Sequence, residues 1–186
     1  MLASRSPRRA QLLAAAGFDF EISPADVNEA RLKDESPETY VTRLANAKAT
    51  SVTGRHPNCV VVGADTLVVA KNQILGKPTD NQDAVKMLRQ LSGRTHEVLT
   101  AVTVVRDAQR ASDIGSTRVT FIELSDQEVT AYVASGEPID MAGAYAIQGL
   151  ASRFVESIEG SYTNVVGLPI VLLIRLLSQV GISQDL

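Results

Sequence analysis

The run LASRSPRR at residues 2–9 places three arginines at the start of a predicted helix. Ser6 suits the N-cap, Pro7 the first helical position and Gly17 the residue beyond the end, so a helix is expected over 7–16. Arg8 and Arg9 then fall in its first turn, with Arg5 just before it. A cation at a positive helix end costs about 0.3–1 kcal/mol, whereas an anion there is favoured by the free N–H groups and by the arginines together. The cluster is therefore either a phosphate site or a set of solvated charges whose cost is tolerated. Arg8 and Arg9 also stand one turn before Leu12 and Leu13, on the face that packs inward, which aims them at a cleft.

Asp65 follows the apolar run CVVV and Gly63, where the C-terminal end of a buried strand is expected. Ligand sites of open α/β sheets gather at that edge. A carboxylate there can hold a divalent metal or take a proton from water, and Thr66 adds a hydroxyl; alternatively Asp65 merely starts a hairpin turn. Glu29, in the loop VNEAR, is a possible second carboxylate. Lys48 follows Val41 by seven residues and Leu44 by four, so it occupies the apolar stripe of a helix, as a phosphate ligand or as a side chain snorkelling past the core. Lys77 sits in LGKP, where Gly76 and Pro78 constrain the backbone, as a phosphate contact or a solvated loop cation.

Other chemistries lack their residues. LGKP is no P-loop, because Pro78 replaces the magnesium-binding Ser or Thr and Lys71 stands where the first glycine belongs. No dinucleotide fingerprint or nucleophile elbow is present. Two histidines, His56 and His96, and one cysteine, Cys59, leave neither a zinc set nor an internal disulfide; Cys59 reads as a small core residue and the histidines as surface or strand residues.

The elements that must position these groups alternate. A very short strand at 2–3 precedes the first helix, and a strand at 18–22 follows it. Then come a polar loop, a helix over 37–52 capped by Ser36, and a strand at 59–63. Residues 67–70 and 73–75 form a hairpin around Lys71 and Asn72, and a capping box at 79–82 opens a helix to Leu91. Strands at 96–105 and 116–123 flank a ten-residue polar connection, too short for a crossover helix, and are expected to be antiparallel. A capping box at Ser125 and Glu128 opens a helix to Ala134; a strand at 153–158 and a helix at 169–178 close the chain. The class is α/β with a mixed sheet.

Of 186 residues, 18 are Lys or Arg and 21 Asp or Glu, a net charge of −3, and Trp is absent. Nucleic-acid polymers draw most of their affinity from a basic excess and stacking aromatics, so neither composition nor charge supports one as a partner. The longest apolar run, 165–174, contains Gly167 and Pro169 and is too short to span a bilayer. No signal peptide core follows the N-terminal arginines, which makes the cytoplasm the expected compartment.

Six motifs, LASRSPRR (2–9), GADT (63–66), LGKP (75–78), LSGRTHEV (91–98), AGAYAIQG (142–149) and NVVGLP (164–169), resemble in order and spacing the Maf-like nucleoside triphosphate pyrophosphatases, the septum formation proteins. The resemblance covers essentially the whole chain and implies a single domain over 1–186. It implies an elongated α/β fold of the inosine triphosphatase type, with two lobes around a cleft, and often a homodimer. The implied reaction splits a nucleoside triphosphate between its α and β phosphates, with Mg²⁺ or Mn²⁺ as cofactor. By resemblance Asp65 is the proton acceptor and touches metal, Glu29 assists with metal or water, and Ser4, Arg9, Lys48 and Lys77 hold phosphates. Arg8, Thr66 and Gln148 match the branch acting on dTTP, UTP and modified pyrimidine triphosphates, and a glutamine amide can both donate to and accept from a uracil or thymine edge. Two residues depart from that branch: Met141 stands where a lysine is common, and Ala146 where a glycine is. The strand at 2–3, one residue from Met1, is expected to be frayed or short. Two rival readings are a nucleotide-binding regulator of septum formation with little turnover and a nucleic-acid module built on the arginines.

Overall fold

The computed structural model describes residues 1–183; the last three positions of the expected 1–186 domain lie outside the described residues. In chain order the elements are α1 (Pro7–Ala15), α2 (Pro37–Thr53), β1 (Val61–Ala70), β2 (Gln73–Leu75), α3 (Asn81–Leu91), β3 (Thr95–Arg106), β4 (Gln109–Phe121), α4 (Asp126–Ala134), β5 (Val155–Glu159), α5 (Tyr162–Val166) and α6 (Ile170–Gln179). Two 3-10 turns, Ala142–Ala144 and Leu150–Phe154, precede β5. The strands form one sheet in the order β2-β1-β3-β4-β5, which bears out the α/β class. Among the described residues β1 pairs antiparallel with β2 and β4 with β5, while isolated parallel bridges join Leu2 to Ile22 and Val62, so the expected strands at 2–3 and 18–22 shrink to single bridges.

Two compact units divide the chain, the first comprising Met1–Asp65, Thr100–Gly115 and the stretch from Gly167, the second Thr66–Leu99 and Ser116–Val166. In the first, side-chain alternation along β1 separates two apolar layers. Val62 and Ala64 join Val102, Val104, Leu13 of α1 and Leu172, Leu173, Leu176 and Leu177 of α6. On the opposite face Val61 and Val105 pack with Ala49 and Val52 of α2. The second unit has an aromatic core in which Phe121, Tyr145 and His96 meet edge to face and Phe154 touches both Phe121 and Tyr132.

Caps mark most helix starts as expected. Ser6 accepts from Arg9 N, Ser36 from Thr39 N, and Ser125 and Glu128 complete a reciprocal capping box. At α3 the expected box at Thr79 is corrected. Asp80 is the cap, accepting from Asp83 N, while Asp83 takes Thr79 N. Asp80 competes better because its charged carboxylate is a stronger acceptor than a neutral hydroxyl and is favoured at the positive end of the helix. Lys71 and Asn72 form the β1–β2 hairpin turn with φ of 50° and 61°, the left-handed pair of a type I′ turn. The ten-residue connection expected between β3 and β4 is only residues 107–108, since β4 begins at Gln109. Its outer half is polar because most of those residues face solvent, so an exposed strand reads as a loop. The strand expected at 153–158 starts at Val155 behind a 3-10 turn. No helix among the described residues is long and apolar enough to cross a membrane.

Candidate functional site

Six of the expected residues, Ser4, Arg8, Arg9, Glu29, Lys48 and Asp65, belong to the first unit. Pairing of Ala3 N with Val62 O sets the chain beside β1 immediately before Ser4. Ser4 is buried, and its Oγ accepts from Ser6 N at 3.1 Å and from Arg9 Nη1 at 3.2 Å. Arg9 is buried too, and its Nε donates to Gly167 O at 2.7 Å. Desolvation pulls the guanidinium pKa below its usual value, Asp65 and Glu29 pull it back, and Arg8 opposes them. Guanidinium remains charged at any ordinary pH, so a full positive charge is fixed inside the protein at the start of α1. The first turn of α1 carries no acidic residue. Arg8 is half-buried and Arg5 exposed.

Asp65 does not end its strand. It is the fifth of ten residues of β1, because the buried run and the hairpin strand form one continuous element. Helix position, rather than strand position, creates the site. A Cβ on Gly63 would lie 2.4 Å from Ala45 O and 2.6 Å from Ala49 N, so α2 rests directly on the strand there. Two residues on, the same strand face presents Asp65, and Lys48, three residues after Ala45 on α2, meets it. Lys48 Nζ is 2.6 Å from Asp65 Oδ1 and 2.6 Å from Glu29 Oε1. The side chains of Lys48 and Asp65 are only 12% and 13% exposed, which settles the snorkelling alternative: the ammonium ends on carboxylates, not in solvent.

Glu29 is held from behind. Tyr40 OH donates to Glu29 O at 2.8 Å, and Arg43 Nη2 donates to Ala30 O at 3.0 Å. The same arginine is paired with buried Glu35 at 2.6 and 2.9 Å, and Arg31 also donates to Glu35 O. Two side chains of α2 thereby suspend the loop that carries Glu29. Sequence reasoning passed over Tyr40, Arg43 and Glu35, since a pair eight residues apart across a loop and a helix start matches no local pattern. Two carboxylates around one cation also make a donor set of the hard oxygens that Mg²⁺ or Mn²⁺ prefers, with remaining positions left to water and phosphate. Among the described residues no cluster of three or more His, Cys, Asp or Glu could supply a fuller cage.

Thr66, Lys77 and Gln148 belong to the second unit. Lys77 is exposed and stands 3.5 Å from Asp140. Beside it Gly76 O accepts from Gly143 N at 3.0 Å, joining LGKP to AGAYAIQG. Gly143 has φ of 69°, and a Cβ there would press on Val68 at 2.8 Å, so glycine is required on both counts. Thr66 is half-buried on β1, and Gln148 is exposed. His96 is buried on β3, its Nε2 2.8 Å from Tyr145 OH, while Nδ1 has no hydrogen-bond partner among the described residues. Burial drives its pKa from 6.5 to about 4, so the ring is neutral. His56 Nε2 lies 2.9 Å from Ser23 Oγ.

Comparison with known proteins follows the same outline. Residues 1–180 match a family model described as Maf-like protein. A dTTP/UTP pyrophosphatase of Koribacter versatilis is 48% identical over 182 residues, covering 98% of this chain and 94% of the relative. The protein of the same name from Shewanella denitrificans is 52% identical over 92% of this chain and 90% of its own length. That of Bacillus pumilus is 44% identical over 98% and 97%.

Proposed function

The chain belongs to the Maf-like protein family, and from that premise we propose that it is a nucleoside triphosphate pyrophosphatase acting on dTTP, UTP and modified pyrimidine triphosphates. The observation that carries this reading is the bridge from Lys48 to Asp65 and Glu29 beside buried Arg9. A module that only binds phosphates has no use for carboxylates among its cations. A hydrolase needs one to accept a proton from water.

In this reading Ser4, Arg9 and Lys77 hold the phosphates. Lys48 spends two of its three N–H donors on carboxylates and offers the third to a phosphate oxygen. Asp65 takes the proton of a water whose oxygen becomes part of a product phosphate as the bridge between the α and β phosphates breaks, leaving a monophosphate and pyrophosphate. Asp65 and Glu29 would hold Mg²⁺ or Mn²⁺, which when bound supplies charge neutralisation on the phosphates. Arg8, Thr66 and Gln148 choose the base, the Gln148 amide answering the donor and acceptor of a uracil or thymine edge. The functional form is a cytoplasmic homodimer whose chain is one Maf-like domain.

The test is to incubate the protein with a panel of triphosphates and Mg²⁺ or Mn²⁺ and to quantify pyrophosphate. Release from dTTP or UTP is expected, and the Asp65→Asn variant should lose at least about a hundredfold in kcat with its melting temperature preserved. Nucleotide binding without any pyrophosphate release would replace the enzyme by a nucleotide-sensing regulator.

A further inference from the structure

Gln148 lies in a segment with side-chain anchors on both sides. Upstream, Ala146 N donates to Tyr132 OH at 3.2 Å. Downstream, Leu150 N donates to Glu137 Oε2 at 2.9 Å and Ala151 N to Glu137 Oε1 at 3.3 Å. Tyr132 OH closes the circuit by donating to Glu137 Oε1 at 2.9 Å. A backbone bond from Gly149 N to Ala146 O at 3.0 Å folds the intervening residues into a turn. A Cβ on Gly149 would sit 2.3 Å from Glu137 Oε2, so the carboxylate lies directly against the backbone next to Gln148.

The bonds from Leu150 N and Ala151 N cap the 3-10 turn Leu150–Phe154, and they fix the backbone that immediately precedes it. Glu137 is only half-buried, yet both its oxygens are engaged on the loop. Tyr132 is 4% exposed, and burial raises its pKa, so it stays a proton donor over the working pH range. The circuit encloses an exposed glutamine that is itself absent from the core. An amide that must tell one base edge from another has to be fixed to within a fraction of an ångström, and groups that support such a residue matter as much as the residue.

We propose that Glu137, through its bonds to Leu150 N, Ala151 N and Tyr132, is the positioning residue that presents Gln148 to the nucleobase. The proposal rests on the reading of Gln148 as a base contact. Glu137 touches no substrate; it acts by holding the turn at residues 146–151.

A double-mutant cycle tests this with UTP as substrate. Glu137→Gln keeps the shape but turns an NH₂ toward backbone N–H groups, and should lower kcat/KM about tenfold, mostly through KM. In a Gln148→Ala background the same substitution should change kcat/KM by less than about twofold, since its route to the base is already gone. An equal loss in both backgrounds, or no loss in either, overturns the proposal while leaving Gln148 in place. If Gln148→Ala alone leaves kcat/KM and nucleotide preference unchanged, the reading of Gln148 itself falls, a separate and distinguishable failure. Melting temperatures accompany each variant. Should Glu137→Gln fail to fold, Tyr132→Phe carries the same cycle, because it deletes the hydroxyl shared by Ala146 N and Glu137.

Discussion

Replacing Gly63 by alanine adds one methyl group at the contact that builds the site. The new Cβ would stand 2.4 Å from Ala45 O and 2.6 Å from Ala49 N, against ordinary contacts of about 3.5 Å or more. Both obstacles are main-chain atoms of α2, so no rotamer change relieves them, and the helix must withdraw by about 1 Å. Overpacking of this kind costs about 1–3 kcal/mol, and backbone neighbours place it at the upper end. In a chain of this size about 3 kcal/mol lowers Tm by roughly 6–12 °C. Lys48 travels with α2, so its 2.6 Å bond to Asp65 on β1 stretches, and on the proposed reading a displacement near 1 Å at such a group can cost up to about a hundredfold in rate. Thermal melts and pyrophosphate release from UTP would measure both effects. A variant with Tm within about 2 °C of the parent and unaltered turnover would refute the claim that the glycine sets the distance between helix and strand.

His96 supplies a pH signature: its folded pKa is near 4 against 6.5 when exposed, so between those values the unfolded chain binds the extra proton and stability falls as pH drops. The loss accumulates to about 3 kcal/mol by pH 4, and urea unfolding of His96→Gln should lack that component; parallel pH curves for variant and parent would reject it. Arg9→Lys cannot bond both Gly167 O and Ser4 Oγ in the arginine's geometry, so KM for the nucleotide should rise about tenfold or more and stability fall by about 1–3 kcal/mol. A KM equal to the parent's in steady-state assays would remove Arg9 from the phosphate site.

What could be seen in the sequence was what depends on near neighbours. Ser6, Ser36 and Ser125 act through bonds to residues three positions on, and each marks its helix start correctly. The stripe that places Lys48 on the core side of α2 is likewise a matter of spacing. Asp65 was legible as a residue but not as a position, because the hairpin at Lys71 and Asn72 hid the continuity of β1 through Gly63 and Asp65. Residues 109–115 of β4 read as a loop, since most of them face solvent and carry the polar composition of one, whereas its second half from Ser116 was legible as a strand. Glu137, Tyr132, Glu35 and Arg43 left no trace, because each acts through a contact fixed only after distant turns have closed. The resemblance to a known family named the groups proposed to react. It said nothing of the bonds that hold them.

Arg9 and Gly167 are separated by 158 residues, yet one bond between them seats the guanidinium. During translation at about 5–20 residues per second, the arginine waits roughly 10–30 s for the carbonyl that will hold it. Nascent chains that end between Asp65 and Gly167 carry Ser4, Glu29, Lys48 and Asp65 without a seated Arg9. On the proposed reading, the capacity to grip a triphosphate arrives with the final stretch of synthesis.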